Sequence, residues 1–261
     1  MKNIRILPLG SRYVILNILN YLAVQIGVLN CFVFKFKEGE LKVDKNFIEY
    51  NDIRFRYEGI SQFKNSIALL HDIYLVRPYA ELKVRNKVVI DIGAAIGDTA
   101  IYFKMLGAKK IIAFEPFPYS YNIAKKNIQY NFKKYGKAVC LVNKAVGKHG
   151  HIVIREDYKS DISSSLLNFE EGVRVEIISL DEVVNRYKVP RHSVLKVDCE
   201  GSELDVIKNS SLKTLSLFDQ IILEYENDYT AIADILKSAK FKVKKHVDKY
   251  NDKNGIMYAY R

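Results

Sequence analysis

Residues 88–103 read VVIDIGAAIGDTAIYF, and few stretches restrict a fold more. The first half is β-branched and apolar with no polar break until Asp91, the pattern of a short buried strand. Gly93 and Gly97 then frame a tight turn, and Asp98 or Thr99 is placed to cap the helix that opens behind it. Strand, glycine turn and helix form the first unit of a sheet that binds a nucleotide at its carboxyl edge. Taken alone, the same letters also describe a turn that merely needs glycine. The rest of the chain separates the two readings.

From Lys87 onward, strands and helices alternate. Strands are predicted at KVVID, KIIAFEP, AVCLVNKAV, SVLKVDCE, FDQIILEYE, FKVKKHV and GIMYAYR, and helices over about 98–106, 117–134, 202–209 and 229–239. This alternation implies a parallel sheet covered by helices on both faces. The last two strands are joined by DKYNDKNG, too short for a crossover, so they must pair antiparallel. Residues 1–80 do not share the pattern. They read as an amphipathic helix to about Ile26, a β-hairpin region (CFVFKFKEGELKV, then FIEYNDIRFRYEG) and a helix across NSIALLHDIYLVRPYAEL. The expected organisation is an N-terminal α+β cap over 1–80 on the substrate side, and a cofactor domain over 81–261.

Two kinds of nucleotide cofactor use such a turn. A dinucleotide fingerprint places glycines first, third and sixth, so that pyrophosphate reaches the helix N-terminus. Counted from Gly93, the third place is Ala95 and the sixth is Asp98. An acid where a pyrophosphate should lie is electrostatically wrong. S-adenosylmethionine carries a sulfonium and an amino group instead, so acidic lining helps it. Asp91 at the first strand end could face that amino group. Glu115, at the tip of the neighbouring strand in AFEP, could accept both ribose hydroxyls, by the logic that dinucleotide sites use. Asp91, Gly93, Ala94, Gly97, Glu115 and Pro116 are the predicted cofactor residues, Pro116 also being expected to stop its strand and start the next helix. A class I methyltransferase follows.

VVIDIGAAIGDTAIYF, IIAFEPFPYSYNIAKKNIQYN, VNKAVGKHGHIVI, ISLDEVV and above all VLKVDCEGSELDVIKNS resemble the successive motifs of the FkbM family of methyltransferases. Leu195, Lys196, Val197, Asp198, Glu200, Gly201, Glu203, Val206, Ile207 and Lys208 all fit that family's fourth-strand signature. The matching region covers about residues 85–226. The resemblance implies a Rossmann-like class I methyltransferase fold: α/β, with a mostly parallel seven-stranded sheet and a terminal antiparallel hairpin. It further implies a methyltransferase dependent on S-adenosylmethionine and acting on oxygen, often of a sugar. Ala95 departs from the Asn that many relatives carry.

On the residues alone, LKVDCEG is the strand end that faces the transferred methyl. Its Lys196, Asp198 and Glu200 alternate along the strand, so their side chains are expected to share a face. A hydroxyl is a weak nucleophile until its proton leaves, and a carboxylate in reach can take it. Asp198 is the first choice of base and Glu200 the second, with Lys196 orienting the carboxylates or steadying alkoxide charge. A buried ion network that only shapes the loop is the bland alternative. Asp181, Asp198, Glu200 and Glu224 are conceivable hard ligands, but their spacing defines no site and no required metal is expected.

The chain has 41 Lys+Arg against 30 Asp+Glu, a formal charge of +11. That keeps an RNA or other nucleic-acid methyltransferase as the alternative. Against it, the basic residues are dispersed, and no Asp-Pro-Pro-Tyr-type turn is present to clamp a flipped base. Cys199 does not follow a proline, as a cytosine-C5 nucleophile would. A small-molecule or glycan acceptor is expected. A non-catalytic nucleotide-binding protein is disfavoured by the acids at successive strand tips. The 3 cysteines are far apart, which suits a reducing, cytoplasmic setting. Residues 13–34 are uncharged, yet Asn17, Asn20, Gln25 and Asn30 interrupt them. They are expected as a cap helix and a strand, with membrane-surface contact through residues 11–34, and so a peripheral location, as the alternative. No small-x-small cleavage site follows, so no signal peptide is expected.

Overall fold

A computed structural model of the chain describes residues 32–36, 39–50, 53–57, 63, 66, 69–70, 73, 78–135, 138–156, 158, 168–225, 229–247 and 255–261. The uncharged run up to residue 31, most of the expected helix over 65–82 and the serine run 163–165 lie outside these residues. Among the described residues no helix is long and apolar enough to cross a membrane.

β1 (Phe32–Phe36), β2 (Gly39–Val43), β3 (Phe47–Tyr50) and β4 (Ile53–Arg56) form an antiparallel meander. Asp44 makes the turn between β2 and β3, its carboxylate accepting from the amides of Asn46 (3.0 Å) and Phe47 (2.9 Å). The chain then enters β5 (Val88–Ile92), α1 (Asp98–Met105), β6 (Lys110–Phe114), α2 (Pro118–Tyr135) and β7 (Val139–Val142). β8 (Ala145–Val146), β9 (Gly150–Ile154) and β10 (Val173–Ile178) form a separate small sheet. After α3 (Leu180–Tyr187) come β11 (Ser193–Val197), α4 (Glu203–Lys208), α5 (Leu212–Leu215), β12 (Phe218–Tyr225), α6 (Thr230–Ser238), β13 (Lys242–Val247) and β14 (Gly255–Tyr260).

Among the described residues the central sheet has seven strands in the order β13-β14-β12-β11-β5-β6-β7, and β14 alone runs against the others. The expected terminal hairpin is present, but its second strand inserts between β12 and β13 rather than closing the edge. The uninterrupted apolar strands follow from burial on both faces. Val89, Ile111, Val194 and Ile222 enter one apolar cluster, while Ile90, Ile112, Leu195 and Ile221 enter the other. Each such side chain contributes about 1.5–3 kcal/mol by leaving water. The first cluster also takes Val43, Ile48, Ile53 and Phe55 from the N-terminal strands and Ala100, Ile101 and Phe103 from α1. That is why α1 is buried from Asp98 to Phe103 rather than along one face.

The outer edge of β4 would expose unpaired backbone groups. Two asparagines one helical turn apart on α2 occupy it. Asn131 accepts from the Arg54 amide (3.1 Å) and donates to the Arg54 carbonyl (2.9 Å). Asn127 accepts from the Arg56 amide (2.7 Å) and donates to the Ile96 carbonyl (2.9 Å) in the glycine turn. The N-terminal sheet and that turn therefore share one buried amide.

Three local expectations are corrected. AVCLVNKAV is not one strand: it breaks at Asn143, whose side-chain amide donates to the carbonyls of Glu115 (2.9 Å) and Pro116 (3.0 Å). Neither Asp98 nor Thr99 caps α1. The N-cap is Gly97 at φ 86°, and the Thr99 hydroxyl turns back to Asp91 (2.7 Å). α2 starts at Pro118, so that proline rather than Pro116 takes the first helical position. α3, passed over in the strand–helix reading, has a readable start: Ser179 and Glu182 form a reciprocal capping box.

Candidate active site

β5, β6, β11 and β12 all end at one edge of the sheet, and the predicted residues gather there. The turn after β5 hangs from the tip of β6. The amides of Gly93 (3.0 Å) and Ala94 (2.9 Å) both donate to the Phe114 carbonyl. Gly93 has φ 79°, and a Cβ built on it would lie 1.7 Å from the Asp198 carbonyl oxygen. No larger residue fits between β5 and the loop after β11. Ala95 is left-handed at φ 43°, a region where Asn would be more at ease.

The Glu115 carboxylate faces this turn, accepting from the amides of Ala95 (2.9 Å) and Phe117 (3.0 Å). Burial pushes it up to about 8, against those two amides and the Lys196 charge, which favour the anion. Pro116 sits half-buried beside it, its carbonyl held by Asn143. Asp91 is fully buried, with Oδ2 taken by Thr99 and Oδ1 without a hydrogen bond. Burial likewise raises its pKa, with Lys196 opposing. Asp98 is buried with its Oδ1 also unpartnered, and burial pushes it up to about 7.

Lys196 is only 1% exposed, and its ammonium donates to the carbonyls of Gly93 (2.6 Å) and Ile92 (3.3 Å). It lies 3.3 Å from Asp91 Oδ1 and 3.4 Å from Asp198 Oδ2. Desolvation works against the ammonium, but Asp198, Asp91 and Asp98 outweigh it and raise its pKa, so it stays charged.

The strand-face expectation for Glu200 is corrected. β11 ends at Val197, and Glu200 is left-handed at φ 56°, so the alternation stops before it. It is Glu203, on α4, that holds this loop, accepting from the amides of Cys199 (2.9 Å) and Gly201 (3.0 Å). Burial, then the Glu203 charge, raises the Cys199 thiol well above its ordinary range, which keeps it protonated and poorly nucleophilic. Asp181 points elsewhere, accepting from Ser211 on its amide (3.0 Å) and hydroxyl (3.1 Å). Among the described residues no group of three His, Cys, Asp or Glu side chains is arranged to hold a metal.

Asp198 has two further neighbours, Glu224, which the sequence places at this sheet edge, and Tyr79, which it does not. The buried Tyr79 phenol donates to Asp198 Oδ2 at 2.8 Å. Glu224 on β12 lies beside the same carboxylate. Desolvation, then the Asp198 charge, raises it, although water at its exposed flank screens part of that repulsion. Nothing near Tyr79 in sequence marks it.

The buried carboxylates of Asp91 and Glu115, beside a turn that only glycine can make, fit the amino and ribose groups of S-adenosylmethionine. This fold and site define a methyltransferase that uses S-adenosylmethionine. The Methyltransferase FkbM domain matches residues 91–243, more than half of the chain, and the protein belongs to that family. Methyltransferase sdnD of Sordaria araneosa is 27% identical over 177 residues, covering 53% of this chain and 66% of that one. Hexuronic acid methyltransferase AglP of Haloferax volcanii is 24% identical over 189 residues, covering 72% and 77%. Among solved structures, a precorrin-6y C5,15-methyltransferase from Geobacter metallireducens is similar, with a TM-score of 0.43 and 15% identity over 79% of this chain and 94% of that one.

Glu115 at about 8 and Asp98 at about 7 are partly protonated near neutrality. Ribose hydroxyls and an ammonium group both prefer the carboxylate form. Affinity for S-adenosylmethionine should therefore rise between about pH 6 and 8, by up to about tenfold per unit for each group, with protons released on binding. Calorimetry in two buffers of different ionisation enthalpy reads both effects. Flat affinity without proton release would contradict the assignment.

Proposed function

We propose that this methyltransferase acts on a hydroxyl of a sugar, glycan or sugar-containing metabolite, with Asp198 as the base. The observation that carries the reading is the position of Asp198. It follows the last residue of β11, its main chain packs on the Gly93 turn, and its carboxylate is already engaged by donors. When bound, the cofactor supplies an electrophilic methyl on a positively charged sulfur. Asp198 would take the proton of the acceptor hydroxyl as its oxygen receives that methyl. Lys196 holds Asp91, Asp198 and the turn in one arrangement, and most of the rate is expected from alignment. Glu115 and the Gly93–Gly97 turn, with Ala94 and Pro116 beside them, hold the ribose and methionine ends. Tyr79, from the segment before β5, is on the acceptor side in this reading. The relative named as a hexuronic acid methyltransferase supports a sugar acceptor.

The test is transfer of labelled methyl to p-nitrophenyl β-D-glucuronide and β-D-glucoside, run beside bulk tRNA and rRNA. Alkali-stable label on a glycoside, a methyl ether on a hydroxyl and not a methyl ester on the carboxyl, is the expected result. Label on RNA and on neither glycoside would replace this reading with the nucleic-acid one.

A further inference from the structure

We propose that Tyr79 is a positioning residue of the methyl-transfer site, acting through Asp198; this rests on the reading of Asp198 as base. Tyr79 belongs to the segment before the cofactor domain, 119 positions from Asp198, yet its phenol donates to Asp198 Oδ2 at 2.8 Å. The ring is 4% exposed and held on two sides. It meets Phe103 of α1 edge-on at 5.8 Å between centroids, and the Lys196 ammonium lies 5.9 Å from its centroid. Burial, followed by the Asp198 charge, raises the phenol well above its ordinary range, so it remains a donor.

Tyr79 and Lys196 therefore approach the same carboxylate oxygen from different elements. The Tyr79 hydrogen bond and the Lys196 ion pair both fall on Oδ2 and fix the rotation of the carboxylate that takes the proton. A buried hydroxyl with one partner at this distance is a costly thing to keep for packing alone, since phenylalanine would fill the same volume. The consequence is that the N-terminal segment completes the active site instead of only covering it.

Tyr79→Phe in the full chain removes the hydroxyl and keeps the ring. Crystal structures of wild type and variant with S-adenosylhomocysteine should show the Asp198 carboxylate rotated or split in the variant; an unmoved carboxylate would overturn the proposal without any acceptor. In single-turnover transfer to p-nitrophenyl β-D-glucuronide, the variant should lose about 10–100-fold in rate, with cofactor affinity and acceptor KM within about twofold. In an Asp198→Asn background the same substitution should cost nothing further, because it acts through the group already lost. Additive losses, or a lowered melting temperature with the rate per folded molecule intact, would make Tyr79 a packing residue. A near-normal rate for Asp198→Asn alone would instead remove the base, and Tyr79's role with it.

Discussion

Asp198→Asn should transfer methyl about 10²–10⁴-fold more slowly than wild type while binding S-adenosylmethionine equally well. Asparagine keeps the shape of the side chain, and its amide oxygen can still accept from Tyr79 beside the Lys196 ammonium. What it loses is basicity. The main-chain duties of the position are untouched: the Asp198 amide still donates to the Ile92 carbonyl (3.1 Å), and its carbonyl still abuts Gly93. The cofactor contacts proposed for Asp91 and Glu115 lie on other strands. Single-turnover kinetics beside a thermal melt separates the outcomes. A rate near wild type would leave alignment as the source of catalysis, and a collapsed melt would mark Asp198 as structural.

Lys196→Met should be the most damaging change to the fold among these residues. The ammonium is buried against Asp91, Asp98 and Asp198 and ties two carbonyls of the β5 end. Methionine fills the space but leaves buried carboxyls without their cation. Breaking a buried pair from one side costs about 3–5 kcal/mol. Asp91 and Asp98 already have pKa values above the unfolded range, and losing the cation raises them further. A carboxyl raised in the folded state contributes stability that is lost as pH climbs past its unfolded value. The deficit should therefore be smaller near pH 5 than near pH 8. Urea unfolding at both values measures it. A deficit below about 1 kcal/mol at both would show that the charges are balanced by other means.

What the sequence displayed best was whatever is local. β5, its glycine turn and Glu115 are contiguous signals, because a strand buried on both faces and a left-handed turn each impose their own residue types. Periodicity could not show where such signals are interrupted. The face shared by Lys196 and Asp198 does not extend to Glu200, because a single left-handed residue ends the alternation. AVCLVNKAV reads as one strand until Asn143 is seen to hold the corner at Glu115 and Pro116. Tyr79 and Asn127 were missed for a different reason. Each owes its role to a partner on a distant element, Asp198 for one and the edge of β4 for the other, and a tyrosine or asparagine in an ordinary setting looks the same. Glu203 likewise turns from a signature letter into the clamp of the loop only through two backbone amides.

The central claim is that this edge of the sheet holds the cofactor by its ribose through Glu115. Calorimetric titration of S-adenosylmethionine near pH 8.5, where the Glu115 carboxyl is ionised, compares wild type with Glu115→Ala after both are shown to be folded. Loss of hydrogen bonds to a charged acceptor, about 1.5–3 kcal/mol each before compensation, predicts a fall in affinity of about 10²-fold or more. Unchanged affinity in a folded Glu115→Ala protein would contradict it.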